Sequence, residues 1–453
     1  MAAVKKGLRF NSTQKLVLGY LAVIFIGAAL LSLPIATRDG RSVGMINALF
    51  TSTSAVCVTG LVVVDTGTTY TVFGQIVILL LIQTGGLGFM TIASFAFLLV
   101  RKRITLSERL IIKESLNQDR PAGAVRLVKR VLLLTFILEG TGMVLLSTRF
   151  IPVYGLGKGL YFGLFHAVSA FCNAGFDLIG NYRSFVPFQN DPVVNITVMG
   201  LIVMGGLGFV VITDVWRKRS LKKLDLHSKA VLKMTAILIF AGAALIYIME
   251  SGNPATLGSS DMNDGSRVMG AFFQSVTART AGFNTVAQAP MAFASKLAVM
   301  LLMFIGASPA STGGGIKTTT AYVIFKTAFS LMRGGGDVNM FGRRLSRDVV
   351  MRAVGILALA LTIVFVSSLV VMIAEAGTNK PFHSIVYEVI SAFGTVGLSD
   401  GITPTLAPVS KLMLIITMFA GRLGPLTLTM AFARRLGAGT CKIRYPEDRL
   451  MVG

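Results

Sequence analysis

Four stretches of this chain end on a glycine in the same setting, and that repetition limits its fold more than any other feature. Ser54-Ala-Val-Cys-Val-Thr-Gly-Leu61, Ser169-Ala-Phe-Cys-Asn-Ala-Gly-Phe176, Val276-Thr-Ala-Arg-Thr-Ala-Gly-Phe283 and Ser391-Ala-Phe-Gly-Thr-Val-Gly-Leu398 align on Gly60, Gly175, Gly282 and Gly397. The glycines are 115, 107 and 115 residues apart, and an aromatic stands ten residues before each: Phe50, Phe165, Phe272 and Tyr387. A period held along the whole chain marks a fourfold internal repeat. Glycine reaches positive φ without a Cβ penalty, so one glycine at a fixed place in each unit points to a backbone turn that other residues avoid.

The solvent of these repeats follows from their apolar runs. The 453 residues are 53% apolar and 14% charged, and the longest uncharged run, Val72–Val100, covers 29 residues. About 20 helical residues cross a bilayer core, so such runs are membrane spans. The net charge of +23 is unevenly placed: nine Lys and Arg fall in Arg101–Arg130, six in Arg217–Lys229 and five in Arg333–Arg352. The intervening connections carry few, such as Arg38 and Arg41, or Lys380. This is the positive-inside pattern, and it predicts cytoplasmic termini and three cytoplasmic basic loops in a cell (inner) membrane. Topology and anionic lipid account for the charge, so nucleic acid is not an expected partner. Cys57, Cys172 and Cys441 give no disulfide framework and no metal spacing. The N-terminus has no evident cleavage site before Leu16–Leu33, which is expected to stay as a span.

Each unit has one grammar: a span, an outer connection, a half-length apolar segment, the glycine stretch and a second span. The runs are Leu16–Leu33, Ile46–Val56 and Val72–Val100; Val131–Leu146, Leu160–Phe171 and Val193–Thr213; Ala230–Met249, Val268–Ala278 and Leu297–Leu331; Val349–Ala374, Ile385–Phe393 and Leu412–Ala433. The expected fold is an all-α integral membrane protein with eight transmembrane helices and four re-entrant pore helices around a pseudo-fourfold pore. Its units are 1–100, 101–216, 217–332 and 333–453. Non-helical backbone at membrane depth is tolerated where it lines a wet cavity or is buried in protein. The second spans carry an echo, Gly85-Gly-Leu-Gly-Phe89 and Gly205-Gly-Leu-Gly-Phe209, whose small residues let helices approach closely.

The four loops have the makings of an ion filter. Thr395-Val396-Gly397 resembles the carbonyl-lined filter of a potassium channel, where backbone oxygens replace the ion's water shell. Val58-Thr59-Gly60, Asn173-Ala174-Gly175 and Thr280-Ala281-Gly282 hold the matching places. A short helix before each loop would aim its partly negative C-terminal end at a cation. These residues resemble the Ktr/Trk/HKT superfamily of potassium transporters, and most closely the membrane subunit of bacterial Ktr systems, from Leu16 to the C-terminus. The resemblance implies K⁺ as the bound substrate ion at Gly60, Gly175, Gly282 and Gly397, with a Na⁺-coupled or Na⁺-permeable transporter as the alternative. It also implies a homodimer in the lipid bilayer and a cytosolic nucleotide-binding ring as regulatory partner. The loops depart from the repeated TVGYG of potassium channels, so discrimination between K⁺ and Na⁺ is expected to be less strict. No organic cofactor is expected in this chain.

The third unit holds the expected gate. Gly306-Ala-Ser308-Pro309-Ala310-Ser311-Thr312-Gly313-Gly314-Gly315-Ile-Lys317-Thr318 interrupts an apolar span with one proline and four glycines. Such a segment cannot remain a regular helix. It does not match a phosphate loop, because Ile316 separates the last glycine from Lys317 and no strand precedes it. Arg422 is the one charge inside the last span, and the family resemblance assigns it to the gating loop. Asp65, Asp177 and Asp400 follow their glycines at the outer mouth, where they either concentrate cations or are ordinary solvated loop acids. Glu139 and Glu388 are membrane-embedded carboxylates whose partners the sequence does not name. His166 in a pore helix is expected to be packed, and no nucleophile–base pair suggests an enzyme.

Overall fold

The computed structural model describes residues 12–88, 124–425 and 427. The remainder of the Val72–Val100 run, most of the basic stretch Arg101–Arg130, Cys441 and both termini lie outside the described residues. Among the described residues, the regular structure is helical apart from one small hairpin, β1 (Asn339–Met340) paired with β2 (Arg343–Arg344). The helices longer than one turn are α1 (Ser12–Leu31), α2 (Met45–Val56) and α3 (Val72–Leu87); α4 (Ala124–Tyr154), α5 (Leu156–Phe171), α6 (Pro192–Leu207) and α7 (Phe209–Lys218). They continue with α8 (Leu226–Glu250), α9 (Asp264–Thr277), α10 (Phe293–Phe304) and α11 (Thr318–Met332), then α12 (Arg347–Ala374), α13 (Phe382–Gly394) and α14 (Pro408–Leu423).

Among the described residues, four helices are long and apolar enough to cross a membrane unaided: Thr13–Leu31, Val128–Tyr154, Leu226–Glu250 and Arg347–Ala374. Large apolar side chains such as Phe25, Phe136, Phe240 and Phe365 stand exposed on them, as an outer ring facing hydrocarbon requires. The following spans differ from the continuous helices expected. α3, α6 and α14 stop at Gly88, Gly208 and Gly424, whose φ of 83°, 89° and 83° no helix accommodates. After Gly208 the chain turns by 95° into α7, so the run Val193–Thr213 is a bent pair. The third unit's span is interrupted where the sequence places its breakers: α10 gives way to the irregular loop 305–317.

The short helices α2, α5, α9 and α13 each lie against the first span of their own unit or run on from it; α5 follows α4 with Gly155 (φ 81°) as the turn. They also pack on the preceding unit's second span: α3 on α5, α6 on α9, α10 on α13, and α14 on α2. The last of these pairs closes the circle. Lys411 Nζ donates to the side-chain Oδ1 of Asn47 across 364 positions of sequence, at 3.1 Å. The centre is aromatic, with Phe50, Phe165, Phe171, Phe273, Phe283, Tyr387 and Phe393 almost fully buried. Phe272, the aromatic ten residues before Gly282, is half-buried and packs edge-on against Phe240 instead.

Carboxylates pin the N-terminal starts of three of the second spans. Asp191 caps α6 by accepting from Val193 N–H and Val194 N–H at 2.9 and 3.2 Å. Glu250 accepts from Ala292 N–H at 2.8 Å before α10, and Glu375 from Ala407 N–H at 2.7 Å before α14. A negative group there meets free N–H donors and the positive end of the helix dipole. Glu375 is also paired with Lys380 at 2.6 Å and bonded by the Ser410 hydroxyl at 2.6 Å. Burial pushes its pKa up, but the Lys380, Ser410 and Ala407 donors outweigh that and hold it below the usual carboxylate value. A depressed folded pKa means its stabilisation is present above the unfolded value of about 4.3 and fades as pH falls through the folded one. Glu375→Ala is therefore expected to remove about 3 kcal/mol of stability at neutral pH, and much less at pH 3. Thermal unfolding of both proteins at the two pH values checks this; an equal loss at both would contradict it.

Candidate functional site

The four aligned glycines meet. A Cβ built on Gly60 would lie 2.5 Å from the Ala174 carbonyl oxygen and 2.9 Å from Gly175 Cα. One on Gly175 would lie 2.6 Å from the Ala281 carbonyl oxygen and 3.1 Å from Gly282 Cα. On Gly282 it would strike the Val396 carbonyl, and on Gly397 the Thr59 carbonyl. Each glycine thus faces the next in sequence order, and the fourth faces the first, forming a closed ring with no room for a side chain. All four have positive φ, at 87°, 69°, 81° and 94°.

A second repeated feature was not legible from residue types. The residue two before each glycine, Val58, Asn173, Thr280 and Thr395, is also left-handed, with φ of 50°, 57°, 70° and 49°. Non-glycine residues hold such angles only where their surroundings impose them. Each loop is held from its own pore helix. Thr59, Ala174 and Val396 N–H groups bond to the carbonyls of Ser54, Ser169 and Ser391 five residues back, at 2.8, 2.8 and 2.9 Å; Ala281 N–H bonds to Thr277 at 3.0 Å. Hydroxyls finish the clamp. Ser54 and Ser391 accept from Gly60 and Gly397 N–H at 3.1 Å, while Ser169 and Thr277 donate to the Phe176 and Phe283 carbonyls at 2.8 and 2.5 Å.

Apart from those of Gly175 and Thr280, the loop N–H groups are engaged, while the loop carbonyls are not. Among the described residues, no hydrogen bond ends on the backbone oxygens of Val58, Thr59 and Gly60, Asn173, Ala174 and Gly175, Thr280, Ala281 and Gly282, or Thr395, Val396 and Gly397. Buried carbonyls are normally satisfied. Three unpaired oxygens from each of four loops around one ring are an acceptor set for something with no protein partner, and the C-terminal ends of α2, α5, α9 and α13 all lead into it.

The broken span of the third unit lies against this ring. Gly314 N–H donates to Thr395 Oγ1 at 3.0 Å, and Thr312 Oγ1 donates to the Phe171 carbonyl at 3.2 Å. A Cβ on Gly313 would collide with Thr280 Oγ1, so the loop touches side chains of three pore loops. Its other groups are satisfied by neighbouring breaks. Ser308 and Thr312 N–H donate to Gly206 and Gly205 carbonyls at 3.1 and 3.3 Å, Ala310 accepts from Phe209 N–H at 3.0 Å, and Gly315 N–H donates to Gly421 at 3.2 Å. Ser311 bonds the Ser308 carbonyl at 2.6 Å, and Lys317 folds back onto the Gly313 carbonyl at 2.7 Å. The Pro309 carbonyl abuts Gly208, where a Cβ would approach to 2.6 Å. The glycine echo of the second unit therefore does more than allow close packing: its broken end seats the loop. In repeats one, two and four, Gly85, Gly205 and Gly421 do serve close packing, each touching the last carbonyls of its own pore helix at Val56, Phe171 and Phe393.

Arg422 spans two of these breaks. Its Nη1 donates to the Thr312 carbonyl and its Nη2 to the Gly85 carbonyl, with Gly86 at 3.4 Å. Of the three acids that follow the glycines, Asp65 and the side chain of Asp400 are buried against protein partners, while Asp177 keeps part of its surface exposed. Asp65 accepts from Thr68 N–H and Tyr182 N–H, both at 2.8 Å; Asp177 accepts from Ile179 N–H at 3.0 Å; Asp400 is ion-paired with Lys296 at 2.6 Å. Glu388 braces the segment after Gly397 through Ser399, Asp400 N–H and Thr403 at 2.5, 3.0 and 2.7 Å. Glu139 accepts from Gln83 at 3.2 Å. His166 is packed: Nε2 accepts from Leu178 N–H at 3.2 Å, so Nδ1 carries the proton given to the Phe162 carbonyl at 2.7 Å.

Comparison with known proteins agrees over the whole chain. A family model described as TrkH, cation transport protein, matches residues 9–441. The "Ktr system potassium uptake protein B" of Bacillus subtilis is 42% identical, with 99% of this chain and 98% of that protein covered. The "Potassium/sodium uptake protein NtpJ" of Enterococcus hirae is 38% identical over 100% of both. The crystal structure of the potassium transporter TrkH from Vibrio parahaemolyticus superposes with a TM-score of 0.73 at 18% identity, covering 94% of this chain and 86% of that one, which is a likeness of fold.

Proposed function

Because the chain belongs to the TrkH family of cation transport proteins, we propose that it is the membrane subunit of a potassium-uptake system of the Ktr/Trk type. Its relatives are ion transporters and not enzymes. The observation that carries the reading is the ring of four positive-φ glycines with twelve backbone oxygens that accept no hydrogen bond among the described residues. A K⁺ ion entering the ring exchanges its water shell for these carbonyls. The clamped N–H groups keep the oxygens aimed inward, and the converging helix ends add negative potential. The four units, 1–100, 101–216, 217–332 and 333–453, then supply one wall each.

In this reading the loop Ser308–Lys317 is the gate beneath the filter, tethered by Arg422, and the ion moves down its electrochemical gradient when the loop withdraws. The subunit sits in the cell membrane with both termini cytoplasmic, works as a homodimer, and takes its control from a cytosolic nucleotide-binding ring. Support for the partner lies in the Ktr resemblance and in the basic loops, of which Arg333–Arg352 carries the exposed hairpin β1–β2.

The test is rubidium uptake into potassium-loaded liposomes holding the purified chain. Uptake above protein-free liposomes, and competed by external K⁺, is the expected result; none at any K⁺ gradient would refute the reading. Sodium entry or coupling is the weaker alternative, supported by the sodium in the name of the Enterococcus hirae relative. Repeating the uptake with and without Na⁺ separates the two.

A further inference from the structure

Behind the third pore loop lies a buried charge without a partner. Arg279 occupies the place that Cys57, Cys172 and Gly394 fill in the other units, and it is 7% exposed. Among the described residues no carboxylate pairs with it and its side chain donates no hydrogen bond; its Nε is sealed, while its terminal nitrogens keep some accessible surface. Leaving a guanidinium unpaired at such depth carries a large desolvation penalty. Arg279 lines a small, partly open cavity of about 10 Å³, room for about one small guest. Thr235 of α8 lines the same cavity, and its Oγ1 is likewise buried without a hydrogen-bond partner. Two orphaned donors thus share one small space.

The rest of the lining selects among guests. Ile202, Val203, Ile239 and Val276 are apolar, so the several oxygens of a phosphate or carboxylate would find neither volume nor partners. A water would satisfy the hydrogen bonds but leave the charge uncompensated. We propose that the Arg279 guanidinium and the Thr235 hydroxyl hold one small monovalent anion of halide size. The cavity also touches Ala307 and Gly206, at the root of the loop 305–317 and at the backbone that accepts its Ser308 N–H. An anion there neutralises charge next to Thr280 and firms the seat of the loop. The site does not depend on the chain conducting cations, so its test reads binding and not flux.

The test uses the full chain in potassium gluconate, whose anion is too large for the cavity, titrated with potassium bromide at constant K⁺ and ionic strength. Thermal unfolding should show a saturable rise in Tm for the parent. Arg279→Gln should lose the bromide response, and Thr235→Val, close in shape, should need about tenfold more bromide, the loss of one hydrogen bond to a charged partner. Crystals in bromide should show an anomalous peak within hydrogen-bonding reach of Arg279 and Thr235. A bromide response equal in all three proteins, or an ordered water without anomalous signal in the cavity, overturns the proposal. Should Arg279→Gln not fold, Thr235→Val and the anomalous peak decide between the same two outcomes.

Discussion

Replacing Gly60 or Gly282 with serine should raise the apparent KM for K⁺ uptake at least tenfold, with a smaller change in maximal rate. Two effects combine at each position. The glycines sit at φ of 87° and 81°, where a Cβ costs about 1 kcal/mol of backbone strain. The Cβ also runs into the carbonyl oxygen of the neighbouring loop, Ala174 for Gly60 and Val396 for Gly282. To accept it, that neighbour must swing its carbonyl oxygen away, so under the proposed filter a single substitution disturbs ligands from two loops. Losing about 1.4 kcal/mol of ion binding already makes the tenfold change. The same logic extends around the ring to Gly175 and Gly397. Uptake kinetics of the four variants, normalised to folded protein, check this; parental KM values in all four would remove the filter assignment.

The second large effect concerns the loop. Deleting part of Ser308–Thr318 should raise maximal K⁺ flux severalfold while KM stays near the parent's, because the glycine ring is untouched. Arg422→Ala should act in the same direction. Its guanidinium bonds the Thr312 carbonyl on one side and the Gly85 carbonyl on the other, tying the loop to the first unit's broken span. Charge-assisted bonds of this kind contribute about 1.5–3 kcal/mol each, which shifts a closed–open equilibrium about tenfold or more. Combining the two changes should add little, since both act on one barrier. Were the loop a packing element only, each variant would destabilise the protein and lower flux. Maximal uptake per folded molecule in both single variants and the double separates these outcomes.

Much of this architecture is legible along the chain because local physics writes it there. The fourfold period is visible since each loop needs a glycine at one place, and the first spans are visible since a lipid-facing helix must be apolar over its length. The interruption at 306–315 is visible because three consecutive glycines and a proline cannot sustain a helix. The breaks at Gly88, Gly208 and Gly424 escaped notice. Hydropathy does not distinguish a glycine that lets helices touch from one that takes positive φ, and both kinds stand side by side in Gly85-Gly-Leu-Gly-Phe89.

What tertiary structure alone decided is which groups meet. Asp400 looked like a free acid at the mouth, but Lys296, 104 positions away in sequence, pairs with it. Val58, Asn173, Thr280 and Thr395 share a left-handed conformation without sharing a residue type, because the clamp from their pore helices imposes it. The ring closes only when α14 reaches α2 at the other end of the chain. Arg279, an ordinary member of its loop in sequence, became an unpaired charge facing Thr235 once α6, α8 and α9 enclosed it. Period, apolarity and breakers are properties of a segment and its solvent, so the sequence carries them; partnership depends on where distant segments converge, and that is set only when the four units pack.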